Sequence, residues 1–435
     1  MQSKTIRFAP FEVNLEEREL RKAGARIPLQ HKPFRILELL LRQPGALVSR
    51  QELAKELWPG LHVNFEHSLN SAVNTLRQAL EDSSRECRYI ETRSGLGYRF
   101  IAPVEEASGV RHAPLPNAKT SAHNDYLRGR FFLNKMTSDG IQRAIGCFQS
   151  ALNEDPGSAL ANAGLADSYC RLALSGAASV SDVCATARDF ASAAVRMEPA
   201  LPEAHVSMGQ VRLIFDWDWR KASDSWSRAS DLDPSLTEAH RGRALLSAAR
   251  NRHDDALEEI SLAQELDPLS LPIGFEQAWL LFLAGRFDQA VAQSWRVLTL
   301  EPAFAPAQMI LGLAYHQLGS LDEAITELEN ACTCSDRDAM AVAALGYVYA
   351  AAGFPEKARG LLAELADQSQ RRHVAACSMA VIHAGLKQRH LALEALKTAC
   401  SRREPQLLWV NVDPRLASLR SEPEFLALQR HLRFD

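Results

Sequence analysis

No CxxC pair occurs among the eight cysteines. Cys332 and Cys334 form a lone CxC with no second ligand cluster nearby, so a zinc site is not expected. The thiols read instead as free, buried groups in a reducing compartment. The histidines give no metal pattern either: His62, His67 and His123 do not pair with carboxylates at ligand spacing, and no cofactor is expected. There is no phosphate-binding glycine-rich loop, no HExxH and no GxSxG, which leaves no residues for an enzyme reading. Long apolar runs are also lacking. The segment MQSKTIRFAPFEV holds no secretory apolar core. The uncharged run Ala339–Pro355 is too short to span a bilayer, and its Ala and Gly content suits a buried helix pair. The expectation is a cytoplasmic protein with no membrane partner.

What is present is globular in composition, 46% hydrophobic and 23% charged. At 435 residues the chain exceeds one ordinary core, so several domains, or a domain with a repeat array, are expected. The net charge of -4 hides an asymmetry. Residues 1–103 hold 16 Lys+Arg and 12 Asp+Glu (+4); of the totals of 49 and 53, the remainder holds 33 and 41 (-8). A mildly basic head on an acidic body fits nucleic-acid binding confined to the head.

Three regions follow from the patterning. Residues 1–104 mix strand and helix patterns; residues 105–121 (EEASGVRHAPLPNAKTS) are poor in large apolar residues and read as a linker; residues 122–435 are helical. The helical region repeats. Pro156, Pro199, Pro234, Pro268 and Pro302 stand at helix ends, and the frame continues at Asp336, Gln370 and Glu404. The spacings are 43, 35 and then 34 throughout. Within this frame Leu311, Gly312 and Tyr315 precede Ala324, Leu328 and Ala331, and Leu345, Gly346 and Tyr349 precede Ala358, Leu362 and Leu365. Ala144/Phe148/Ala151 and Ala222/Trp226/Ala229 repeat the second half of the motif. Small residues suit close helix crossings, and large ones fill the gaps between units. The period and motif are those of tetratricopeptide (TPR) arrays. Eight helix pairs are expected, with the excess of the 43-residue spacing placed as an insertion at Gly176–Cys184. The tail DPRLASLRSEPEFLALQRHL reads as a closing helix.

In the head, the short alternating runs IRF, FEVNL, REL and RIPL suit a small antiparallel sheet. Phe34, Leu37, Leu40 and Leu41 share one face of a helix ended by Pro44 and Gly45. Ser49 with Glu52 forms a capping box opening a second helix, for which Trp58 reads as a closing packing residue. A third helix, 66–82, carries Leu69, Val73, Leu76 and Leu80 inward. A strand, a glycine turn and a strand follow, with Tyr98 and Phe100 as core. The segments RIPLQHKPFRILELLL, LVSRQELAKELWP, SLNSAVNTLRQAL and GYRFIAPV, in that order, resemble the OmpR/PhoB-type winged-helix family over residues 4–104. The fold class is therefore multidomain: an α+β winged helix-turn-helix head followed by an all-α TPR solenoid.

The resemblance implies a DNA-binding transcription regulator, with helix 66–82 in the major groove and the wing 92–98 near the minor groove. The face opposite the apolar one offers Asn70, Ser71, Asn74, Thr75 and Arg77. Asparagine can pair adenine, and hydroxyls can serve several base edges. Arg77, late on the helix, suits a phosphate, as do Arg50, the helix N-terminus at Ser49, and Arg93 and Ser94 of the wing. Gly95 and Gly97 let the hairpin turn and approach the duplex. Relatives carry several arginines in mid-helix, where Asn74 and Thr75 stand here, and an arginine before the first wing glycine, where Ser94 stands. Weaker binding with a shallower salt dependence is expected. The resemblance also implies RNA polymerase as a partner and paired heads on tandem half-sites. With the head running straight into the repeats, control by an attached receiver domain is not expected. The groove frame of the array collects Phe275, Trp279, Phe282, Met309, Leu313 and Tyr347, which suits an apolar peptide, a helix or a protein surface as partner, unless superhelix packing buries them. The competing reading is an interaction scaffold whose head contacts protein.

Overall fold

The computed structural model describes the chain except residues 1–4, 9, 15–18, 23–24, 28, 30, 58–65, 83–86, 94–95, 107–116 and 433–435, and except side chains at 5, 31, 51, 54–55, 66–68, 70–71, 105–106 and 117–120. It divides into two compact units, Met1–Asn117 and Ala118–Asp435.

The head opens with four antiparallel strands, β1 (Thr5–Phe8), β2 (Phe11–Asn14), β3 (Glu19–Lys22) and β4 (Ala25–Ile27). Alternation decides their inner face: Ile6 pairs with Val13 and Phe8 with Phe11 across the β1–β2 ladder, and all four are buried. Next come α1 (His31–Arg42), β5 (Leu47–Ser49), α2 (Arg50–Leu57), α3 (Glu66–Leu80), β6 (Ile90–Arg93), β7 (Gly97–Phe100) and β8 (Glu105–Glu106). The first sheet runs β4-β3-β2-β1-β8 and the second β5-β7-β6. Phe34, Leu37, Leu40 and Leu41 of α1 meet Leu69, Val73, Leu76 and Leu80 of α3 in one core, closed by Tyr98 and Phe100. Phe8 stands edge-on to Phe100 at 4.9 Å. The capping box is formed: Glu52 N donates to Ser49 Oγ (3.1 Å) and Ser49 N to the Glu52 carboxylate (2.8 Å). Those bonds hold the Glu52 carboxyl below its ordinary pKa. Gly97 is required by packing, because a Cβ there would lie 2.1 Å from the Val48 carbonyl oxygen.

Two boundaries differ from expectation. Helix α3 stops at Leu80 rather than at 82, because Glu81 takes a left-handed φ of 53°. The linker placed at 105–121 begins with β8, which pairs with β1, and its last residues belong to the first helix of the array. Trp58 lies outside the described residues.

The array comprises eight helix pairs: α4 (Asn117–Leu133) with α5 (Ser138–Glu154), α6 (Ala159–Leu174) with α7 (Val180–Met197), α8 (Pro202–Val211) with α9 (Trp219–Leu232), α10 (Thr237–Ala249) with α11 (His253–Leu266), α12 (Leu271–Leu283) with α13 (Phe287–Leu300), α14 (Ala305–Leu318) with α15 (Leu321–Cys334), α16 (Ala339–Ala351) with α17 (Pro355–Gln368), and α18 (Ala376–Gly385) with α19 (Arg389–Ser401). A closing helix, α20 (Pro423–Leu432), buries Phe425, Leu428 and Leu432. The second helices of the first five pairs each end at an acidic residue in front of the periodic proline: Asp155, Glu198, Asp233, Asp267 and Glu301 all leave helical geometry, with φ near -131 to -143°. Proline excludes the helical conformation from the residue before it, which explains the period in chemical terms.

Small residues sit where the motif requires them. Trp226 of α9 is wedged between Gly209 of α8 and Gly242 of α10; a Cβ at either glycine would lie 2.6 or 2.2 Å from the indole. Phe148 of α5 stands likewise between Gly129 and Gly164. Two expectations are corrected. The extra residues of the second unit fall around Gly176–Cys184 but do not form a separate loop: seven lengthen α6 to 16 and α7 to 18 residues, against 13 and 14 in the α10–α11 pair, and two lengthen the turn 175–179 against 250–252. The tail is not one helix, because the 3-10 turns Pro405–Trp409 and Pro414–Leu419 precede α20. Among the described residues no helix is long and apolar enough to cross a membrane.

Candidate functional site

Helix α3 is fixed by its apolar face: Leu69, Leu76 and Leu80 are 0% exposed and Val73 1%. That leaves Asn74 and Gln78 exposed on the other side, with Thr75 half-buried between the faces. The side chains of Asn70 and Ser71, and Ser94 with Gly95 of the wing, lie outside the described residues.

Arg77 departs from its expected place. It is 6% exposed and points into the head. One Nη donates to Ile90 O (2.8 Å) and to Thr92 Oγ1 (2.7 Å), which ties α3 to the first wing strand. The reason is helical geometry: position 77 is one turn beyond Val73 and shares its inward side. Asp82 completes the brace by accepting from the amides of Arg88 (2.7 Å), Tyr89 (3.3 Å) and Ile90 (2.8 Å). Nothing in the sequence pattern singled out Asp82; an acid just past a helix end, eight residues before a strand, was the available signal.

The cations near the wing are largely engaged. Arg50 is half-buried, with its Nη1 donating to Tyr98 Oη (3.2 Å) and its guanidinium 5.2 Å from the Tyr98 ring centre. Its backbone amide donates to Leu96 O (3.1 Å), and Ser49 N is taken by Glu52. The helix N-terminus expected to receive an anion therefore has two amides already satisfied. Arg93 is exposed and paired with Glu91 at 3.1 Å, and Glu91 also takes two bonds from Arg99. Leu96, at the hairpin turn, is 62% exposed.

In the array, the expected groove residues belong mostly to the core. Phe282 is 0% exposed, Leu313 1%, Met309 7% and Trp279 9%; Phe275 and Tyr347 are half-buried. Trp279 stacks on Phe282 (5.6 Å between centres) and meets Trp409 edge-on at 6.2 Å. Arg415 places its guanidinium 5.8 Å from the Trp279 ring centre. The chain between α19 and α20 thus covers this face, and an open apolar groove at these residues is not what the fold contains. The first helices of the pairs also carry buried ion pairs: Arg130 with Asp167 (3.3 Å) and Glu238, and Arg241 with Glu276 (Nε to Oε2, 2.7 Å). Burial works against the Arg241 charge, but Glu276 more than offsets it and the pKa is raised. Among the described residues no group of three His, Cys, Asp or Glu is placed to hold a metal ion.

The geometry defines a class: a winged-helix head on a helical repeat array. Residues 24–100 match the family model "Transcriptional regulatory protein, C terminal", and residues 218–270 and 275–339 match "Tetratricopeptide repeat". The head is an OmpR/PhoB-type winged-helix domain, and the C-terminal part is built of TPR repeats. The chain is 35% identical over 102 residues to the transcriptional regulatory protein KdpE of Mycobacterium tuberculosis, covering 23% of this chain and 45% of KdpE. It is 35% identical over 120 residues to the transcriptional regulator HilA of Salmonella typhimurium, covering 28% of this chain and 21% of HilA. The chain therefore spans less than half the length of either relative. Among solved structures, the hetero-tetramer Cut9-Hcn1 is similar in fold, with 16% identity and a TM-score of 0.51 over 73% of this chain and 57% of that chain.

Proposed function

We propose that this chain is a sequence-specific DNA-binding transcription regulator, with α3 in the major groove, the β6–β7 wing near the minor groove, and the array as the part that receives a protein or peptide partner. The observation that carries the reading is the exposed polar side of α3, Asn74 with Gln78 and half-buried Thr75, on a helix whose apolar face is locked in the core of a domain matching transcriptional regulatory proteins. Asn70 and Ser71 join the proposed base-reading set. Arg93 serves phosphate, with Ser94 beside it. Arg50 contributes by holding Tyr98 and the wing strand; Arg77 acts as a brace. The names of the relatives KdpE and HilA agree with this role. Paired heads on tandem half-sites and a contact with RNA polymerase rest on family resemblance alone.

Among the described residues few cations stand beside the exposed side of α3 and the wing, so binding should depend modestly on salt. With two or three phosphate contacts, log K against log[salt] should fall with a slope of about -2 to -3. The test is a fluorescence-anisotropy titration of the full-length protein with duplex DNA from its own upstream region at several salt concentrations, with Asn74→Ala alongside. Saturable binding with that slope, weakened by Asn74→Ala, supports the regulator. Absence of binding by both the full chain and residues 1–117 sinks the reading for that site and leaves the scaffold, in which the head, whose third helix carries little positive charge, contacts protein.

A further inference from the structure

The segment between α19 and α20 makes two sets of contacts. The near set belongs to its own end of the array. Glu404 accepts from the amides of Ala376 (2.9 Å) and Cys377 (3.1 Å), at the start of α18. Leu407, Val410, Val412, Leu416 and Leu419 are buried in the large core shared by the last units. The far set reaches units more than 150 residues earlier in the chain. Gln406 Nε2 donates to Ala173 O (3.0 Å) and Leu174 O (2.8 Å), at the C-terminal end of α6. Leu408 enters the cluster of α8, α9 and α10, where Trp217 and Trp409 are partly buried together. Arg403 donates to Asp216 O (3.3 Å) and lays its guanidinium 5.0 Å from the Trp217 ring centre.

The receiving surface is itself unusual. The chain leaves α8 through a π-helical turn, Arg212–Asp216. Trp217 follows in the left-handed conformation (φ 53°, ψ 34°), the turn that Asn251, Gly285, Gly319, Gly353 and Lys387 also make at 34-residue spacing, here carrying an aromatic side chain. π-helical turns are frequent at functional sites. At the end of α6 the Ala173 carbonyl also accepts from the amide of Gly176 (3.0 Å), whose φ of 72° turns the chain away, while Leu174 O is reached by the Gln406 amide. The occupant fits incompletely: Gln406 Oε1 is buried without a hydrogen-bond partner.

We propose that Arg403–Trp409 is a clasp that closes the array on itself, and that the surface beneath it, the end of α6 with Trp217, is a docking site for a peptide of the same chemistry. That chemistry is a side-chain amide for the two carbonyls, a leucine with a neighbouring aromatic ring for the α8–α10 cluster, and a cation for Trp217. A partner carrying these groups takes the place of the clasp while the near contacts keep the segment anchored. This goes beyond the DNA-binding reading and does not rest on it.

The test uses the full-length chain and a fluorescein-labelled peptide of residues 402–413. The clasp variant is Gln406→Ala with Trp409→Ala, which leaves the buried Leu407 and Leu408 in place. The folded variant should bind the peptide saturably and at least about tenfold more tightly than wild type, and adding Trp217→Ala should abolish the gain. A folded variant that binds no better than wild type, or equally well with Trp217→Ala, overturns the proposal. Should the variant not fold, hydrogen exchange on wild type decides. Amides of 406–409 and of the turn 175–178 should then exchange together, faster than those of α16 and α19. Their exchanging only with that core overturns the clasp.

Discussion

Replacing Arg77 by alanine separates a brace from a DNA contact. Its guanidinium donates to the buried carbonyl of Ile90 and to Thr92 Oγ1, at 2.8 and 2.7 Å. Hydrogen bonds from a charged donor contribute roughly 1.5–3 kcal/mol each, and the acceptors left behind lose their partner in a buried setting. Part of this is recovered where the Thr92 side turns to water. A loss of about 3 kcal/mol is therefore expected, confined to the junction of α3 with β6. At 1.4 kcal/mol per factor of ten, that is roughly a 150-fold larger opening equilibrium constant. Hydrogen exchange with mass-spectrometric readout on the full chain measures it directly: amides of α3 and β6 should lose about that much protection, while α10–α19 stay unchanged. Asn74→Ala, at an exposed position, should change protection by less than about 0.5 kcal/mol while weakening DNA binding. The reasoning is refuted if Arg77→Ala leaves exchange in α3 and β6 untouched yet removes DNA affinity. The guanidinium would then be acting outward, on phosphate.

Gly242→Ala places a methyl 2.2 Å from the Trp226 indole, so the array should lose at least about 1–3 kcal/mol, read as a lower midpoint in thermal unfolding. Glu276→Ala strands the buried Arg241 guanidinium and should cost about 3–5 kcal/mol in urea unfolding, whereas Arg241→Leu with Glu276→Leu should cost clearly less. Burial lowers the pKa of His316 below its ordinary 6.5, so the unfolded chain binds the proton more readily than the folded one. Stability should then be retained above pH 6.5 and decline as pH falls below it, and His316→Gln should flatten that decline in midpoint-against-pH measurements. Because Gln406 joins the end of α6 to the last unit, urea should unfold residues 118–435 in one transition. Gln406→Ala with Trp409→Ala should split it in two; a wild-type array that already unfolds stepwise contradicts the coupling.

Most of the architecture was legible because it is written in local chemistry. Proline after an acidic helix end repeats at the unit period, and glycines recur wherever a tryptophan or phenylalanine must cross. Ser49 and Glu52 cap α2 through their own side chains. The misjudged residues are those whose surroundings are set by distant parts of the chain. Arg77 looked outward because its neighbours on the helix surface are polar, yet Val73 one turn before it faces the core and Thr92 supplies an acceptor. Trp279, Phe282 and Met309 were assigned to the inner face, and a repeat frame says which face lines a superhelix without saying what fills it. The filler here, Gln406 to Leu419, lies 97 to 140 residues further along and carries no motif of its own. The consequence is physical as well as predictive. In an open solenoid each unit touches only its neighbours, and stability accumulates unit by unit. Once the last unit bonds to the second, through Gln406 at the carbonyls of Ala173 and Leu174, those two units cannot part without breaking a contact made far away in sequence. A partner that releases the clasp therefore alters two distant units rather than one groove.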